Sequence, residues 1–237
     1  NRCHFTGGTS GIYWVNRPGE NGSGQRGVVE RCTFENIGVK NNGRDNHGVG
    51  VQGSSDIVIK KSLFRNCAGD AIALWVGDDP QRNCHVLDNV IVGTRKPDPG
   101  FVGSSGRAIT FSAAHDQQQY GNRTGCIVRG NWCDDIEGDC FSSAVWDDIV
   151  VEDNDFVQPN DEGEWVIQQF SFGAVPLDPR NNRTWVRDPS RLRSARLAYG
   201  FGNPTIPPAN VATLHQSNQI GNIVDRPKQP TDVGDKS

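Results

Sequence analysis

His47, Asp70, Arg107 and Asp139 are the residues of this chain whose types and placement could do chemistry together. Each stands immediately before a short β-rich run: Gly48-Val49-Gly50-Val51, Ala71-Ile72-Ala73-Leu74, Ala108-Ile109-Thr110-Phe111 and Cys140-Phe141-Ser142-Ser143. Ser10 and Glu164 hold the same place before their own runs. If these runs stack as successive parallel strands, like positions fall about 4.8 Å apart and the charged residues form a column at one sheet edge. Asp70 and Asp139 are then two coils apart, about 9 to 10 Å along the stack. Carboxyls separated by about 6.5 to 9.5 Å can act as general acid and general base on a glycosidic bond, with room for a water. A modest lean of the side chains brings this pair into that range. Arg107 and His47 would then bind the sugar and adjust the carboxyl pKa values. The structural alternative is an ion ladder in which Arg107 satisfies both aspartates, since stacked titratable groups are costly unless paired.

Alternation along the same runs adds a surface to this column. With Ile12, Val49, Ile72, Ile109 and Phe141 inward, Tyr13, Gly50, Ala73, Thr110 and Ser142 face outward. Most of those outward residues are small, so they form a shallow floor on which an extended chain could lie. Tyr13 on that floor, and Trp14, Trp75 and Trp146 at or beyond the strand ends, are aromatic faces that suit sugar stacking or closure of the core. His115-Asp116 follows the Ala108 run and supplies a second candidate acid–base and substrate-binding pair. The longer connections, 16–25, 41–46, 95–105 and 115–123, are where specificity would reside. A competing chemistry is β-elimination from a uronate polymer, with Arg107, His47 and Lys40 supplying cation and base. No cofactor is called for by any motif; calcium is the one ion with a case, through Asp78-Asp79 or Asp134-Asp135, although acidic doublets are common in solvated turns.

The elements that must position these residues come from a repeat. Six times a polar or cysteine residue stands two positions before a large apolar one: Cys3 and Phe5, Cys32 and Phe34, Ser62 and Phe64, Asn89 and Ile91, Asn131 and Cys133, Asn154 and Phe156. Most spacings are in the twenties, which is a solenoid signature, and so short a repeat buries its apolar face only by stacking on neighbours. Runs such as Asp56-Ile57-Val58-Ile59, Cys126-Ile127-Val128 and Asp148-Ile149-Val150-Val151 have no helical period. Each coil is therefore strand, tight turn, strand, loop. The apolar markers make an inward stack, and Cys3, Cys32, Ser62, Asn89, Asn131 and Asn154 make a polar ladder at a turn, bonding to the next coil's backbone.

This pattern resembles the right-handed parallel β-helix of pectate lyases, polygalacturonases and related carbohydrate-active proteins, with their asparagine ladders and aromatic stacks. The resemblance covers about residues 1 to 172. It implies an all-β solenoid of about six coils and, as an expectation, an extended polysaccharide as partner. Polygalacturonases carry Gly-Asp-Asp and Gly-His-Gly; this chain has Gly69-Asp70-Ala71 and Asn46-His47-Gly48 and no Arg-x-Lys element, so their mechanism is not carried over. The expected function is polysaccharide binding with glycosidic cleavage by a hydrolase or a lyase, in a secreted, periplasmic or cell-surface setting. A non-catalytic adhesin, spike shaft or assembly subunit is the alternative.

Bulk properties narrow the field. The 237 residues include 28 glycines, which suits a chain that turns every few residues. A net charge of -4 with scattered Lys and Arg argues against nucleic acid, and no apolar run of about 18 residues offers a membrane span. Asn1 already stands in a coil motif, so an upstream part of the chain or another subunit is expected to cap the first coil. Cys3 and Cys32 share a ladder position, where either a disulfide or two small thiols would fit. Sequons occur at Asn21, Asn122 and Asn182. After Phe172 prolines become frequent and the marker motif is not evident, so residues 173–237 are expected to form an irregular flanking segment and tail beside a 1–172 solenoid.

Overall fold

The computed structural model describes residues 1–15, 26–38, 46–75, 82–95, 106–112, 124–144, 148–159, 166–169, 177–186, 199–201, 219–222 and 225–231. All strand pairings among them are parallel, and they form three sheets. Sheet 1 stacks β1 (His4–Thr6), β4 (Thr33–Glu35), β7 (Leu63–Arg65), β10 (Val90–Val92), β13 (Trp132–Ile136), β16 (Asp155–Pro159), β19 (Arg183–Val186) and β21 (Gln219–Asn222). Sheet 2 stacks β2 (Ser10–Val15), β5 (His47–Gln52), β8 (Asp70–Trp75), β11 (Ile109–Ser112), β14 (Phe141–Ser143), β17 (Ile167–Gln169) and β20 (Tyr199–Phe201). Sheet 3 stacks β3 (Gly27–Glu30), β6 (Ile57–Lys60), β9 (His85–Leu87), β12 (Cys126–Arg129), β15 (Ile149–Glu152) and β18 (Asp178–Arg180). The chain visits sheet 3, sheet 1 and sheet 2 in turn, which is a parallel β-helix.

The corner from sheet 3 to sheet 1 holds the coils in register. At that corner Arg2, Arg31, Lys61, Asp88, Asp153 and Asn181 adopt φ between 49 and 57°, and Gly130 takes 68°. One left-handed residue turns the chain sharply; Asn, Asp and Gly tolerate it, while Arg31 and Lys61 carry a strain of about 1–2 kcal/mol each. The next residue is the ladder. Asn131 Oδ1 accepts from both the backbone N–H and Nδ2 of Asn89 (3.0 Å each). Asn154 does the same for Asn131, and Asn182 for Asn154. Each amide also donates back to a carbonyl of the preceding coil: Asn89 to Ile59, Asn131 to Val86, Asn154 to Val128, Asn182 to Val151. Ser62 continues the ladder by accepting from the Cys32 N–H.

Inside, the apolar markers stack in the expected register, Phe5↔Phe34↔Phe64↔Ile91↔Cys133↔Phe156. The first three rings stack almost parallel with centroids 4.9 and 4.7 Å apart, the strand spacing itself. Phe34, Phe64, Ile91, Cys133 and Phe156 are completely buried.

Stacking does not stop at residue 172. Asn181-Asn182-Arg183-Thr184 is a further marker, with Asn182 in the ladder and buried Thr184 beneath Phe156 in register. Thr184 is small and polar, so the rule of a large apolar residue misses it. β18, β19, β20 and β21 thus extend all three sheets into the segment expected to be irregular. Most of the expected helix or strand at 188–199 lies outside the described residues. Residues 225–231 keep a flanking role, since Arg226 reaches Asp134 on the outside of sheet 1. Asn182 is buried with its amide engaged, so the folded sequon is closed to glycosylation.

All seven cysteines are free; Cys3 is exposed and the other six are buried. Cys3 and Cys32 are ladder neighbours but unbonded thiols. Burial pushes the Cys67 thiol up to about 12 and raises those of Cys133 and Cys140 as well. A thiol reagent at neutral pH is therefore expected to modify Cys3 alone in the native chain, with the others reacting only on unfolding, as read by mass. Asn131→Ala should cost about 3 kcal/mol in urea unfolding, because the Asn89 N–H and the Val86 carbonyl lose partners in a buried corner. A loss within experimental error would show that the amide column is dispensable.

Candidate functional site

Sheet 2 builds the column expected from the sequence. His47 pairs with Asp70 in register. The Ala71 N–H donates to Arg107 O and the Ala108 N–H to Asp139 O, at 3.0 Å each, so Asp70, Arg107 and Asp139 occupy successive coils. The outward floor follows, Tyr13↔Gly50↔Ala73↔Thr110↔Ser142. Beneath it Val49, Ile72, Ile109 and Phe141 join the core.

Within the column the charged groups engage one another. Asp70 Oδ1 accepts the backbone N–H of Arg107 at 3.1 Å, and Arg107 Nε donates to Asp139 Oδ2 at 3.1 Å. Arg107 therefore links both aspartates, one through its backbone and one through its guanidinium. Asp70 and Asp139 are each 3 % exposed, and His47 is 1 % exposed. The expected open edge is instead a buried row, and the ion-ladder alternative describes its contacts. The floor is enclosed too: Ala73, Thr110 and Ser142 are buried although they stand outside the core cluster. Among the described residues Thr110 Oγ1 has no hydrogen-bond partner.

His47 stands in the column beside Asp70 and also joins a second group. Its ring meets Trp75 edge-on at 4.3 Å, and Trp75 tilts against Tyr13 at 5.9 Å. The two aromatic side chains close over Gly50, where a Cβ would stand 2.8 Å from Tyr13 and 3.0 Å from Trp75, so only glycine admits them. The Tyr13 hydroxyl donates to Gln52 Oε1 at 3.4 Å. Tyr13 is 55 % exposed and Trp75 half-buried, so this cradle is the accessible part of the sheet 2 face. Gln52 joins the set by register with Trp75, a placement that its polar type alone could not announce.

Other candidates separate. Trp14 packs inward against the core, and a Cβ at Gly27 would collide with its ring, so it closes the coil rather than stacking sugar. The two members of the Asp134-Asp135 doublet serve different arginines, Arg226 and Arg95. His115, Asp116, Lys40, Asp78, Asp79, Trp146 and Glu164 lie outside the described residues, as do most of the long connections. Among the described residues no group of three or more His, Cys, Asp or Glu is placed to hold a metal ion.

Arg107→Met should destabilise the protein by about 3–5 kcal/mol in chemical denaturation, because it removes the guanidinium that pairs with the buried Asp139 carboxylate. Adding Asp139→Asn should recover part of that loss; an unaltered unfolding midpoint in the single variant would show that the pair is inconsequential.

Among the described residues no helix is long and apolar enough to cross a membrane. No curated protein and no solved structure matches the chain. A family described as "right handed beta helix region" matches residues 1–175, the part of the chain that holds the phenylalanine stack and the amide corner up to Asn154. The chain belongs to this right-handed β-helix family.

Proposed function

We propose that this β-helix protein binds an extended polysaccharide across the stacked strands of sheet 2, outside the cell, and that a glycosidic bond is cleaved on that face. The observation that carries the binding half is the Tyr13–Trp75 cradle over Gly50. It offers aromatic area with hydrogen-bonding groups at its rim, the combination that holds a sugar ring by its apolar face and its hydroxyls. The cleavage half rests on Asp70 and Asp139, two coils apart at about 9 to 10 Å, as an inverting acid–base pair. β-Elimination from a uronate, with Arg107 as the cation, is the competing chemistry.

One observation favours a second reading, a non-catalytic adhesin, shaft or assembly subunit. Asp70 and Asp139 are 3 % exposed and both are engaged by Arg107, as a purely structural ladder would be.

The test is a panel of acidic and neutral polysaccharides, with binding read by affinity electrophoresis and cleavage by new reducing ends or near-ultraviolet absorbance. Tyr13→Ala and Trp75→Ala should each weaken binding about tenfold with the fold retained. Asp70→Asn and Asp139→Asn should each abolish cleavage while leaving binding in place. A fully active single aspartate variant removes the acid–base assignment, binding without products selects the non-catalytic reading, and no binding to any polymer overturns the whole proposal.

A further inference from the structure

Where the chain passes from sheet 2 to sheet 3 it turns a second left-handed corner. Asp56, Asn83 and Asp148 adopt φ between 53 and 55° there, and Gly125 takes 71°. The residue after each joins the coil interior: Ile57, Cys84, Cys126 and Ile149, all buried. Two successive coils thus place a thiol where the flanking coils place isoleucine. Backbone pairing pins the register on both sides of the thiols. Arg82 bridges Thr124, the Asn83 N–H donates to Thr124 O at 3.1 Å, and the Ile127 N–H donates to Cys84 O at 3.2 Å. One position on, His85 pairs with Ile127. Cys84 and Cys126 are therefore direct neighbours across the strand spacing of about 4.8 Å, inside the Cα range of about 4.4–6.8 Å that a disulfide spans.

The side chains meet as well, since the two thiols hydrogen-bond to each other. Both sulfurs are already turned to the same point of the interior, so a bond between them asks for no movement of the strands. The coil they belong to is also the largest along the amide ladder. The ladder steps 42 residues from Asn89 to Asn131, against 30, 27, 23 and 28 at its other steps. Cys84 and Cys126 stand at matching places before Asn89 and Asn131, so a bond between them closes the same long span. The entropy lost in closing a loop rises with its length. A cross-link that removes this cost from the unfolded chain therefore stabilises this coil more than it would a shorter one.

We propose that Cys84 and Cys126 are a disulfide-forming site that staples the enlarged coil, oxidised by exchange with a low-molecular-weight disulfide of the glutathione type. Neither sulfur is exposed in the closed coil, so the oxidant meets the pair while the coil is open. One protein thiolate attacks a sulfur of the small disulfide, which gives a mixed disulfide and releases one small thiol. The second protein thiolate attacks the protein sulfur of that mixed disulfide and expels the other small thiol. The two protein thiols lose two electrons and two protons, and the small disulfide gains them as two thiols. Closure of the coil then seals the new bond in the interior. Sheet 2 and its cradle take no part in this chemistry.

The test holds the full chain just below its denaturant midpoint, so that it opens and recloses, in a buffer of reduced and oxidised glutathione. Remaining thiols are then alkylated and a non-reduced tryptic digest is read by mass. The expected product joins peptides 83–95 and 124–129, is two hydrogen masses lighter than its parts, and is split by dithiothreitol. After removal of denaturant the linked chain should melt about 8 °C above the same chain held in dithiothreitol instead. Cys126→Ala should give no linked peptide and should melt alike after either treatment. The wild-type comparison needs no substitution, so the proposal stays testable if that variant fails to fold. Recovery of both peptides alkylated, or of Cys84 joined to a different cysteine, would overturn it. A linked chain that melts no higher than the reduced one would overturn it too, because the bond would then strain the register instead of matching it.

Discussion

The fold depends on one buried corner, where Asn131, Asn154 and Asn182 each accept two N–H donors from the coil before through Oδ1 and donate an Nδ2–H to one of that coil's backbone carbonyls. A buried polar group left unmatched costs more than a matched one contributes, so a slip by one residue would orphan several groups at once. This penalty sets the register of parallel strands that are otherwise held by apolar contacts with little directional preference. Asn89, Asn131, Asn154 and Asn182 carry it through the later coils, and Ser62 and Cys32 replace them in the earlier ones.

In-register stacking has a consequence for charge. Side chains at one position recur every coil, so like charges meet at the strand spacing unless their signs alternate. The Asp70–Arg107–Asp139 row satisfies that condition on sheet 2. Glu152 between Arg129 and Arg180 satisfies it on sheet 3. The sheet 3 row lies at the surface and contributes little, whereas the sheet 2 row is buried, and removing one member would take a charged partner from a buried carboxylate. Any chemistry on that row has to be reconciled with the same contacts that hold it together. The Tyr13–Trp75 cradle carries no such burden, because glycine at position 50 makes room for two rings above the floor.

The fold was largely legible in the sequence because a solenoid repeats its instructions. Phe5, Phe34 and Phe64 announced the stack, and the asparagines announced the corner. Thr184 broke the pattern: a small polar residue fills the inward place in β19, so the extension past residue 172 could not be seen from apolar markers. The left-handed corner residues were a second signal, since Asp88, Gly130, Asp153 and Asn181 each precede a ladder position and tolerate positive φ. They would have located Asn182.

The candidate site was legible only as a row. Spacing assigned His47, Asp70, Arg107 and Asp139 to one edge, since a parallel stack superimposes equivalent positions whatever their side chains. Which partners those side chains choose depends on directions and cover that come from distant coils. His47 turned to Trp75, Asp70 to a backbone N–H, and Asp134 to an arginine near the other end of the chain. The sequence by itself determined the coil, its inward stack and the alignment of the charged row, because those follow from local periodicity. Burial of that row, the cradle over Gly50 and the clasp of Arg226 on sheet 1 were decided by tertiary structure, because each joins residues whose proximity no local pattern encodes.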